Sequence, residues 1–424
     1  MTAAPLSVLF VVHQFVPRHL AGSELYTFHL ARELQARGHR VAVYTTEAYV
    51  GESTATLRER EHEGLRIFEA VHNNECEDFE HSYLDPEKEA QFERVLDAVC
   101  PDIVHVQHLA MHSHRYLSIA KARGLTLVYT LHEFALMCIR FGWLVRPGWE
   151  LCQGPSLEAC TSCAPTCLPA PRAGASDAAW RAAVAERSAF VADALQLVDL
   201  FVSPSRFLRD RFVAAGFVGA DRILYSDNGL PTDAYTRLRR KRGDRVRFGF
   251  VGTIAEWKGV HLLVEACNQL PHDLVECEIW GILDYFPDYV AELRARLTHP
   301  RVTFRGRYEN GSVGDVLARF DCLVVPSLWF ENSPLTIHEA FLAGVPVITA
   351  DQGGMAEYVI HERNGLLFRM HDAEDLCRQM QRIAEHPSLL DRLREFPEVK
   401  DVATDAALME TRYRQLLAGE VPSA

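Results

Sequence analysis

Cys322-Leu-Val-Val-Pro-Ser-Leu-Trp-Phe-Glu-Asn-Ser-Pro-Leu-Thr-Ile-His-Glu339 is the stretch that decides the fold of this chain. Its first residues form an apolar run that is typical of a short buried strand. Ser333 followed by Pro334 is a helix-start pattern, because a hydroxyl caps the first turn and proline fits the first helical position. Gly344 then predicts the end of the helix. The stretch therefore predicts a strand, a loop and a helix.

Two carboxylates flank the start of this predicted helix. Glu331 lies in the loop before the helix, and Glu339 lies more than one turn inside it. Between them, backbone amides without helical partners and the positive end of the helix dipole form a cradle that suits phosphate. A carboxylate on each side suits sugar and ribose hydroxyls, so the stretch is typical of a nucleotide-sugar site. The plainer alternative is a charged cap and one glutamate on a helix face, and spacing alone favours it.

The flanking sequence resembles a known family. Glu331-x7-Glu339, continued by residues 340–347, resembles the signature of retaining glycosyltransferases of family 4. The resemblance implies the α/β GT-B fold, in which two Rossmann-like domains face a cleft and a C-terminal helix returns to the N-terminal domain. It implies that Glu331 contacts sugar hydroxyls and that the leaving phosphate oxygen takes the acceptor proton. It places the donor-binding positions at Thr253, Asn332, Ser333, Pro334, Leu335 and Glu339, the last of these on the ribose.

The N-terminal half opens with a β–α–β pattern. Residues 8–12 and 41–45 are apolar runs typical of buried parallel strands, and residues 23–37 between them are predicted to be helical. Binding sites in such folds lie at the carboxyl ends of the strands, which here means the loop with Gly22 and Glu24. The resemblance implies a glycine-rich turn with a glutamate at this point, although alanine replaces the first glycine. A simple helix cap is the alternative.

Histidines follow two later strands of this half. His132 comes directly after the predicted strand at residues 125–130, and the resemblance implies that it faces the cleft near the donor sugar or the acceptor. Four more surround the end of the strand at residues 102–106, namely His105, His108, His112 and His114. No acidic partner accompanies these four in a helical pattern, so a polar lining is favoured over a metal site.

Four cysteines form a cluster in a loop rich in glycine and proline. They follow the pattern Cys-x7-Cys-x2-Cys-x3-Cys at Cys152, Cys160, Cys163 and Cys167. Four thiols suit a tetrahedral Zn²⁺, but only one pair has the usual short spacing, so a structural zinc and free thiols are equal alternatives. A redox pair is disfavoured because no thioredoxin-like pattern surrounds it. The resemblance implies that this insertion, residues 138–170, lies on the acceptor side and shapes acceptor choice.

The C-terminal half restarts the α/β pattern. Residues 246–251 are its first predicted strand, and residues 250–259 resemble the phosphate-binding segment of the family. Many members have an arginine shortly after the first glycine of this segment, whereas Thr253, Ile254 and Ala255 fill those positions here. Lys258 is then the only cation of the loop, and we expect it to neutralise the leaving diphosphate. A lysine near the positive end of a helix dipole is otherwise disfavoured.

Composition and missing motifs exclude several classes of protein. The 424 residues suffice for two domains, and a net charge of −13 argues against nonspecific binding of nucleic acid. No Gly-x-Gly-x-x-Gly motif, P-loop or Asp-x-Asp motif occurs, which disfavours a dinucleotide oxidoreductase, a P-loop NTPase and a metal-dependent GT-A transferase. Catalysis is therefore expected to require no cofactor.

The sequence predicts a cytoplasmic protein. The eleven cysteines are an odd, scattered set that suits a reducing compartment, and no run of about 18 apolar residues occurs. The first residues carry no positively charged region, so no signal peptide is expected. The basic run at residues 237–242 is typical of a domain linker. Its alternative is peripheral contact with anionic lipid at the inner face of the membrane.

These features predict an organisation and a function. The predicted parts are an acceptor-side domain over residues 1–230, a nucleotide-sugar-binding domain over 245–402 and a returning helix over 403–424. The predicted function is retaining transfer of a sugar from a UDP- or GDP-sugar to a glycan, lipid-linked or small-molecule acceptor, as in polysaccharide biosynthesis. Glu331, His132 and Lys258 are the predicted catalytic residues. The alternatives are a sugar-nucleotide epimerase or hydrolase of the same fold, and a nucleotide-binding protein without turnover.

Overall fold

The structure of the chain is a computed structural model. It describes residues 4–73, 76–140, 142–235, 243–308 and 313–422. The basic run at residues 237–242 lies outside these ranges. The chain divides into two compact units, Met1–Leu230 with Lys400–Ala424 and Pro231–Val399. Each unit is built on a mostly parallel sheet, so the predicted α/β class is confirmed.

The first unit holds a sheet of eight strands among its described residues. The strands are β1 (Ser7–Val11), β2 (Arg40–Ala48), β3 (Leu57–His62), β4 (Leu65–His72), β5 (Ile103–Val106), β6 (Thr126–Thr130), β7 (Leu200–Ser203) and β8 (Ile223–Tyr225). Their order is β3-β4-β2-β1-β5-β6-β7-β8, and only β3 and β4 pair antiparallel. The helices of this part are α1 (Gly22–Ala36), α2 (Pro86–Val99), α3 (Tyr116–Ala122), α4 (Leu157–Cys163), α5 (Asp177–Leu195) and α6 (Arg206–Ala214).

The second unit holds a parallel sheet of six strands among its described residues. The strands are β9 (Val246–Val251), β10 (Val275–Trp280), β11 (Val302–Gly306), β12 (Cys322–Val325), β13 (Val347–Ala350) and β14 (Gly365–Phe368). Their order is β11-β10-β9-β12-β13-β14. The helices are α7 (Val260–Asn268), α8 (Pro287–Arg296), α9 (Val313–Leu317), α10 (Leu335–Leu342), α11 (Gly353–Tyr358), α12 (Ala373–Glu385) and α13 (Leu389–Arg392).

The last helix, α14 (Val402–Leu417), belongs to the first unit. Its Asp405 accepts hydrogen bonds from the Tyr26 hydroxyl of α1 at 3.0 Å and from the Gly229 amide at 3.2 Å. Its Tyr413 lies fully buried in the same core cluster as Phe10 of β1. The C-terminal helix therefore packs on the N-terminal domain, as the resemblance implies.

Buried central strands explain the apolar runs in the sequence. All residues of β1, β5, β7, β12 and β13 are buried. Parallel strands covered by helices on both faces need apolar side chains on both faces, so they lose the alternating pattern of a half-exposed strand. None of the described helices combines the length and the apolar character that a membrane span requires.

Candidate active site

The carboxyl ends of β9 and β12 position the first group of predicted site residues. The loop after β9 ends in a 3-10 turn, Glu256–Lys258, and Gly259 follows with a φ of +67°. A Cβ at Gly259 would lie 2.0 Å from the carbonyl oxygen of Pro326, just after β12. Only glycine fits this contact, so the turn lies directly against the end of β12. The contact brings Lys258 beside the loop that carries Glu331.

Glu331 and Lys258 form an ion pair. Lys258 Nζ donates to Glu331 Oε1 at 2.5 Å, and the same oxygen accepts from Ser327 Oγ at 2.8 Å and from Trp329 Nε1 at 2.9 Å. The side chain of Glu331 is 8% exposed, whereas that of Lys258 is 27% exposed. Within the described residues no hydrogen bond reaches Oε2 of Glu331. One oxygen therefore fixes the carboxylate, and the other has capacity to accept a further hydrogen bond.

A glycine pair fixes the backbone around Glu331. The amide of Gly354 donates to the carbonyl of Glu331 at 2.8 Å. A Cβ at Gly354 would lie 1.3 Å from the carbonyl oxygen of Asn332, and Gly353 has a φ of +61°. Side chains at these two positions would push the loop away, so the glycines are needed for its conformation.

The predicted start of the next helix is wrong by one residue. Pro334 is the N-cap rather than the first helical residue, and α10 begins at Leu335. Pro334, as the N-cap residue, makes no side-chain cap bond. The physical reason is that Pro334 has an extended ψ of 110°, in a loop held by the backbone contact with Gly354. Asn332, Ser333, Pro334 and Leu335 nevertheless lie together after β12, between the two glutamates, as predicted.

Glu339 is a buried carboxylate on α10. Its Oε1 accepts a hydrogen bond from the hydroxyl of Tyr235 at 2.9 Å. Burial raises the pKa of Glu339, and the bond from Tyr235 opposes this shift. Burial also raises the pKa of Tyr308, and the negative charge of Glu339 adds to the effect. Neither tyrosine was predicted as a neighbour of Glu339. Thr253, the remaining donor-side prediction, is half-buried in the loop after β9.

The first unit brings a second group of predicted residues to the carboxyl ends of its strands. Gly22 is the first residue of α1 and is exposed, and Glu24 in the same turn is buried. Glu24 Oε1 lies 3.3 Å from Nε2 of His13, which follows β1, and its Oε2 accepts from Ser23 Oγ at 2.8 Å. Glu24 is therefore held over the end of β1, where the β–α–β pattern places a binding site.

His132 is half-buried after β6 and held from two sides. Its Nε2 lies 2.7 Å from Oε1 of Gln107, which follows β5. The ring of Tyr26 meets its imidazole edge-on, with 5.3 Å between the ring centroids. Burial lowers the pKa of His132 to about 3, and the neighbouring His13 adds to the shift. The imidazole is therefore neutral at physiological pH.

His13, His108 and Glu133 extend this group. The rings of His13 and His108 lie 4.1 Å apart, and His108 Nε2 lies 3.5 Å from Oε1 of Glu133. Burial lowers the pKa of His108 and raises that of Glu133 to about 8. Sequence reasoning did not single out His13, Gln107 or Glu133. His13 and Gln107 follow the predicted strands at residues 8–12 and 102–106 directly, whereas Glu133 lies three residues after the predicted strand at residues 125–130.

Family models match nearly all of the chain. The model of the glycosyl transferases group 1 matches residues 234–397, and the model of the glycosyl transferase 4-like domain matches residues 21–229. The chain belongs to the group 1 glycosyltransferases. It is 24% identical over 327 residues to the sulfoquinovosyl transferase SQD2 of Arabidopsis thaliana, an alignment that covers 73% of this chain and 53% of that protein. The chain spans about half the length of the first curated relatives that it matches.

Solved structures share the fold of this group 1 glycosyltransferase. Sucrose-phosphate synthase from Thermosynechococcus elongatus superimposes with a TM-score of 0.70 at 19% identity, over 97% of this chain and 99% of that chain. The HepE protein of Anabaena, in complex with UDP and glucose, gives a TM-score of 0.66 at 18% identity, over 96% of this chain and 99% of that chain. The GT-B fold with two Rossmann-like domains is thereby confirmed.

Two of the histidines around β5, His105 and His112, are held by hydrogen bonds within the first unit. His105 contacts the Tyr413 hydroxyl at 2.5 Å and Thr130 Oγ1 at 2.7 Å. His112 contacts the Val12 carbonyl at 2.9 Å and the Tyr116 hydroxyl at 3.4 Å. Across the described ranges, no three His, Cys, Asp or Glu side chains are arranged to hold a metal ion.

The cysteine insertion departs from the predicted ligand set. A cavity of about 20 Å³ is lined by thiols among aliphatic side chains, and these thiols belong to Cys138, Cys152, Cys160 and Cys163. Cys167 does not line it. A hydrogen bond from the Cys167 thiol, together with Arg140, lowers the pKa of Cys163 to about 6. As placed, the predicted thiols do not form a tetrahedral ligand set. Zinc stays a prediction of the spacing, and no step below depends on it.

Elemental analysis of the purified chain tests the zinc prediction. The cavity lining predicts that a bound zinc is lost in Cys138→Ser and kept in Cys167→Ser. Loss of zinc in Cys167→Ser but not in Cys138→Ser would restore the ligand set that the spacing predicts. A chain prepared without chelators that carries no zinc would show that the thiols are free.

Glu133 makes the stability of the first unit depend on pH. Burial raises its pKa from the ordinary value of 4.5 to about 8, so the folded chain holds this proton more tightly than the unfolded chain. This contribution to stability is complete below pH 4.5 and is lost as the pH rises to 8, at no more than about 1.4 kcal/mol per pH unit.

Glu133→Gln is therefore expected to flatten the fall in stability between pH 6 and pH 9. The midpoint of urea unfolding at the two pH values measures the effect. The exposed Glu87→Gln on α2 is the matched control and should retain the slope of the wild type. Equal slopes for Glu133→Gln and the wild type would show that Glu133 is ionised in the folded chain.

Proposed function

We propose that this glycosyltransferase moves a sugar from a nucleotide-diphospho-sugar to a hydroxyl acceptor, with retention of the anomeric configuration. The observation that carries the proposal is the pairing of Glu331 with Lys258 at 2.5 Å, just before the N-terminus of α10. In this pairing Glu331 would accept from sugar hydroxyls, and Lys258 beside it would neutralise a diphosphate. This is the arrangement that the reacting end of a nucleotide-sugar requires.

The diphosphate would be held by charge and by backbone amides. Lys258 has three N–H donors, so it can keep its bond to Glu331 and still donate to a phosphate oxygen. The first amides of α10, at Leu335 and Thr336, have no acceptor within the helix, and the helix dipole adds positive potential. Relatives of the same fold support this donor class, since HepE has been solved with UDP and with UDP-glucose.

The ribose would be held by Glu339. A buried carboxylate that already accepts from the Tyr235 hydroxyl has capacity for further hydroxyl donors, and the 2′- and 3′-hydroxyls of a ribose are such donors. Burial keeps water away from these bonds and so strengthens them. Glu339 lies one turn beyond the first amides of α10. In a nucleotide-sugar the ribose likewise follows the diphosphate, so a ribose would reach Glu339 when the diphosphate lies on these amides.

The chemistry would need no covalent intermediate on the enzyme. The acceptor hydroxyl attacks the anomeric carbon as the phosphate leaves from the same face, and the leaving phosphate oxygen takes the acceptor proton. Lys258 stabilises the charge that develops on that phosphate. His132 and Glu24 of the first unit would contact sugar or acceptor hydroxyls as hydrogen-bonding groups. His132 is suited to this role because it is neutral, as its lowered pKa shows.

Glu339→Gln is expected to weaken nucleotide binding by about 1–3 kcal/mol, because a charged acceptor becomes a neutral one. The glutamine oxygen still accepts from Tyr235, so the local fold should persist. Calorimetric titration with the preferred nucleoside diphosphate measures the loss. The exposed Glu374→Gln on α12 of the same unit is the control. Equal affinities for Glu339→Gln and the wild type would remove Glu339 from the site.

The proposed transfer is tested with a panel of UDP-, GDP-, ADP- and dTDP-sugars, each supplied with and without candidate glycan acceptors. Acceptor-dependent release of one nucleoside diphosphate, lost in Glu331→Gln, is the expected result. Proton NMR of the product then reports whether the anomeric configuration of the donor is kept. Release that needs no acceptor would indicate a hydrolase, and an inverted product would refute the retaining mechanism.

A further inference from the structure

We propose that Gln107 is a positioning residue that holds His132 in the Nε2–H tautomer and so leaves Nδ1 of His132 as the acceptor for a substrate hydroxyl. The inference rests on the proposed function for its consequence in catalysis, but the tautomer itself does not depend on turnover. Gln107 was not among the residues that the sequence singled out, because glutamine does not titrate and carries no motif.

A backbone hydrogen bond fixes the position of Gln107. Gln107 follows β5 directly, and its own N–H donates to the carbonyl of Val11, the last residue of β1, at 2.7 Å. The residue is fully buried. The backbone of Gln107 is therefore bonded to the end of β1, and its buried side chain can adopt few orientations.

The tautomer follows from the hydrogen-bonding groups. The amide oxygen of Gln107 carries no proton and can only accept, so His132 Nε2, 2.7 Å away, must be the donor. A neutral imidazole has one N–H group. When that group is committed to Gln107, Nδ1 of His132 carries a lone pair and can accept the proton of a hydroxyl.

The ring of Tyr26 also restricts the orientation of the imidazole. Tyr26 of α1 meets the ring of His132 edge-on, and its hydroxyl donates to Asp405 of α14 at 3.0 Å. The returning helix thus holds Tyr26, and Tyr26 holds the ring that Gln107 orients. His132 is therefore oriented by Gln107 after β5 and by Tyr26 of α1, which Asp405 of α14 holds in turn.

One further atom of this group points to a ligand. The amide nitrogen of Gln107 is buried and has no hydrogen-bond partner within the described residues. A buried donor without a partner destabilises the folded chain. A water or substrate oxygen that enters with the acceptor would satisfy it. The side-chain nitrogen of Gln107 can therefore donate to a ligand, while its oxygen accepts from His132.

The direct test reads the tautomer by NMR of the full chain, labelled with ¹⁵N at histidine. The signals of His132 are assigned by their loss in His132→Gln. The wild type is expected to show Nε2 protonated and Nδ1 unprotonated. Gln107→Leu removes the acceptor and is expected to give a mixture of tautomers. His105, whose two ring nitrogens are held by Tyr413 and Thr130, is the internal control and should not change.

Kinetics supply the second readout. Gln107→Leu is expected to lower kcat/KM roughly 10- to 100-fold, as the loss of a group that orients another does elsewhere. Gln107→Glu keeps an acceptor but places a negative charge beside His132, so it raises the pKa of that histidine. An acidic limb should then appear in the pH profile of kcat/KM, because Nδ1 accepts only when the imidazole is neutral.

Besides Gln107, the described groups that act on His132 are an aromatic ring and three histidines. Tyr26 lies against it from α1, and the charges of His13, His105 and His108 act on it or are acted on by it. All three histidines are present in each Gln107 variant, so a new limb in Gln107→Glu belongs to His132. Thermal unfolding of each variant checks that the fold is retained.

The outcomes separate this inference from the proposed function. A wild-type His132 with Nδ1 protonated, or a Gln107→Leu variant that keeps the tautomer of the wild type, would overturn the inference. Failure to find sugar transfer would instead overturn the proposed function, because the NMR readout needs no substrate. A tautomer that changes in Gln107→Leu with unchanged kcat/KM would overturn the role of Gln107 in the reaction.

Discussion

Lys258→Met is expected to lower kcat roughly 10²- to 10³-fold, the usual loss when one group that stabilises developing charge is removed. Lys258 is the only cation of its loop, and its Nζ lies 2.5 Å from Glu331. Without it, the leaving diphosphate relies on the amides and dipole of α10. Since this charge grows as the bond to the sugar breaks, kcat should fall more than KM rises.

The ion pair itself needs a control, because Lys258→Met also leaves Glu331 without its cation. Ser327 and Trp329 still donate to Glu331, so the carboxylate keeps two of its three bonds. Lys121→Met is the matched control, since it removes another lysine paired with a carboxylate, Asp199, in the first unit. It should leave kcat unchanged. A kcat of Lys258→Met within about threefold of the wild type would exclude Lys258 from charge stabilisation.

Gly354→Ala is expected to abolish donor binding and to lower the free energy of unfolding by about 3 kcal/mol. Its new Cβ would lie 1.3 Å from the carbonyl oxygen of Asn332, which is backbone and cannot rotate aside. The loop must move, and the bond from the Gly354 amide to the Glu331 carbonyl must lengthen. Because this loop carries Glu331 and leads into α10, its displacement should disturb the sugar and phosphate contacts together.

Gly243→Ala is the matched control in the same unit. Its Cβ would lie 3.5 Å from the flexible end of Arg247 and 4.0 Å from the backbone nitrogen of Arg245, and both are ordinary contacts. Denaturant midpoints measure stability, and calorimetric titration of the folded variants measures donor binding. Unchanged binding in Gly354→Ala would mean that the Asn332 carbonyl and its loop do not form part of the donor site.

The strands that the sequence predicted are those whose burial gives a continuous run of apolar residues. β1, β9 and β12 are apolar runs because helices cover both faces of a parallel sheet. The sequence did not predict β3, because it is a half-exposed edge strand whose residues are mostly charged. Its pairing with β4 is supported by ion pairs across the hairpin, such as Arg66 with Glu59, and these have no periodic signature.

The site was found only in part, for a related reason. Motifs carry Glu331, Glu339 and Lys258, but the ion pair joins residues 73 positions apart. Tyr235, which donates to Glu339, comes from a segment that resembles no binding motif, and it reaches α10 only through the tertiary fold. Contacts of this kind depend on which strands are neighbours in the sheet. The local sequence patterns of a single chain do not give the order of the strands.

Calorimetric titration of the purified chain with UDP, GDP, ADP and dTDP, without added metal, tests the central claim most directly. The account predicts that one of these nucleotides binds at one site per chain, and that Glu339→Gln weakens this binding while Glu374→Gln does not. Absence of binding for all four nucleotides, or binding that is indifferent to Glu339, would contradict a donor site built on α10.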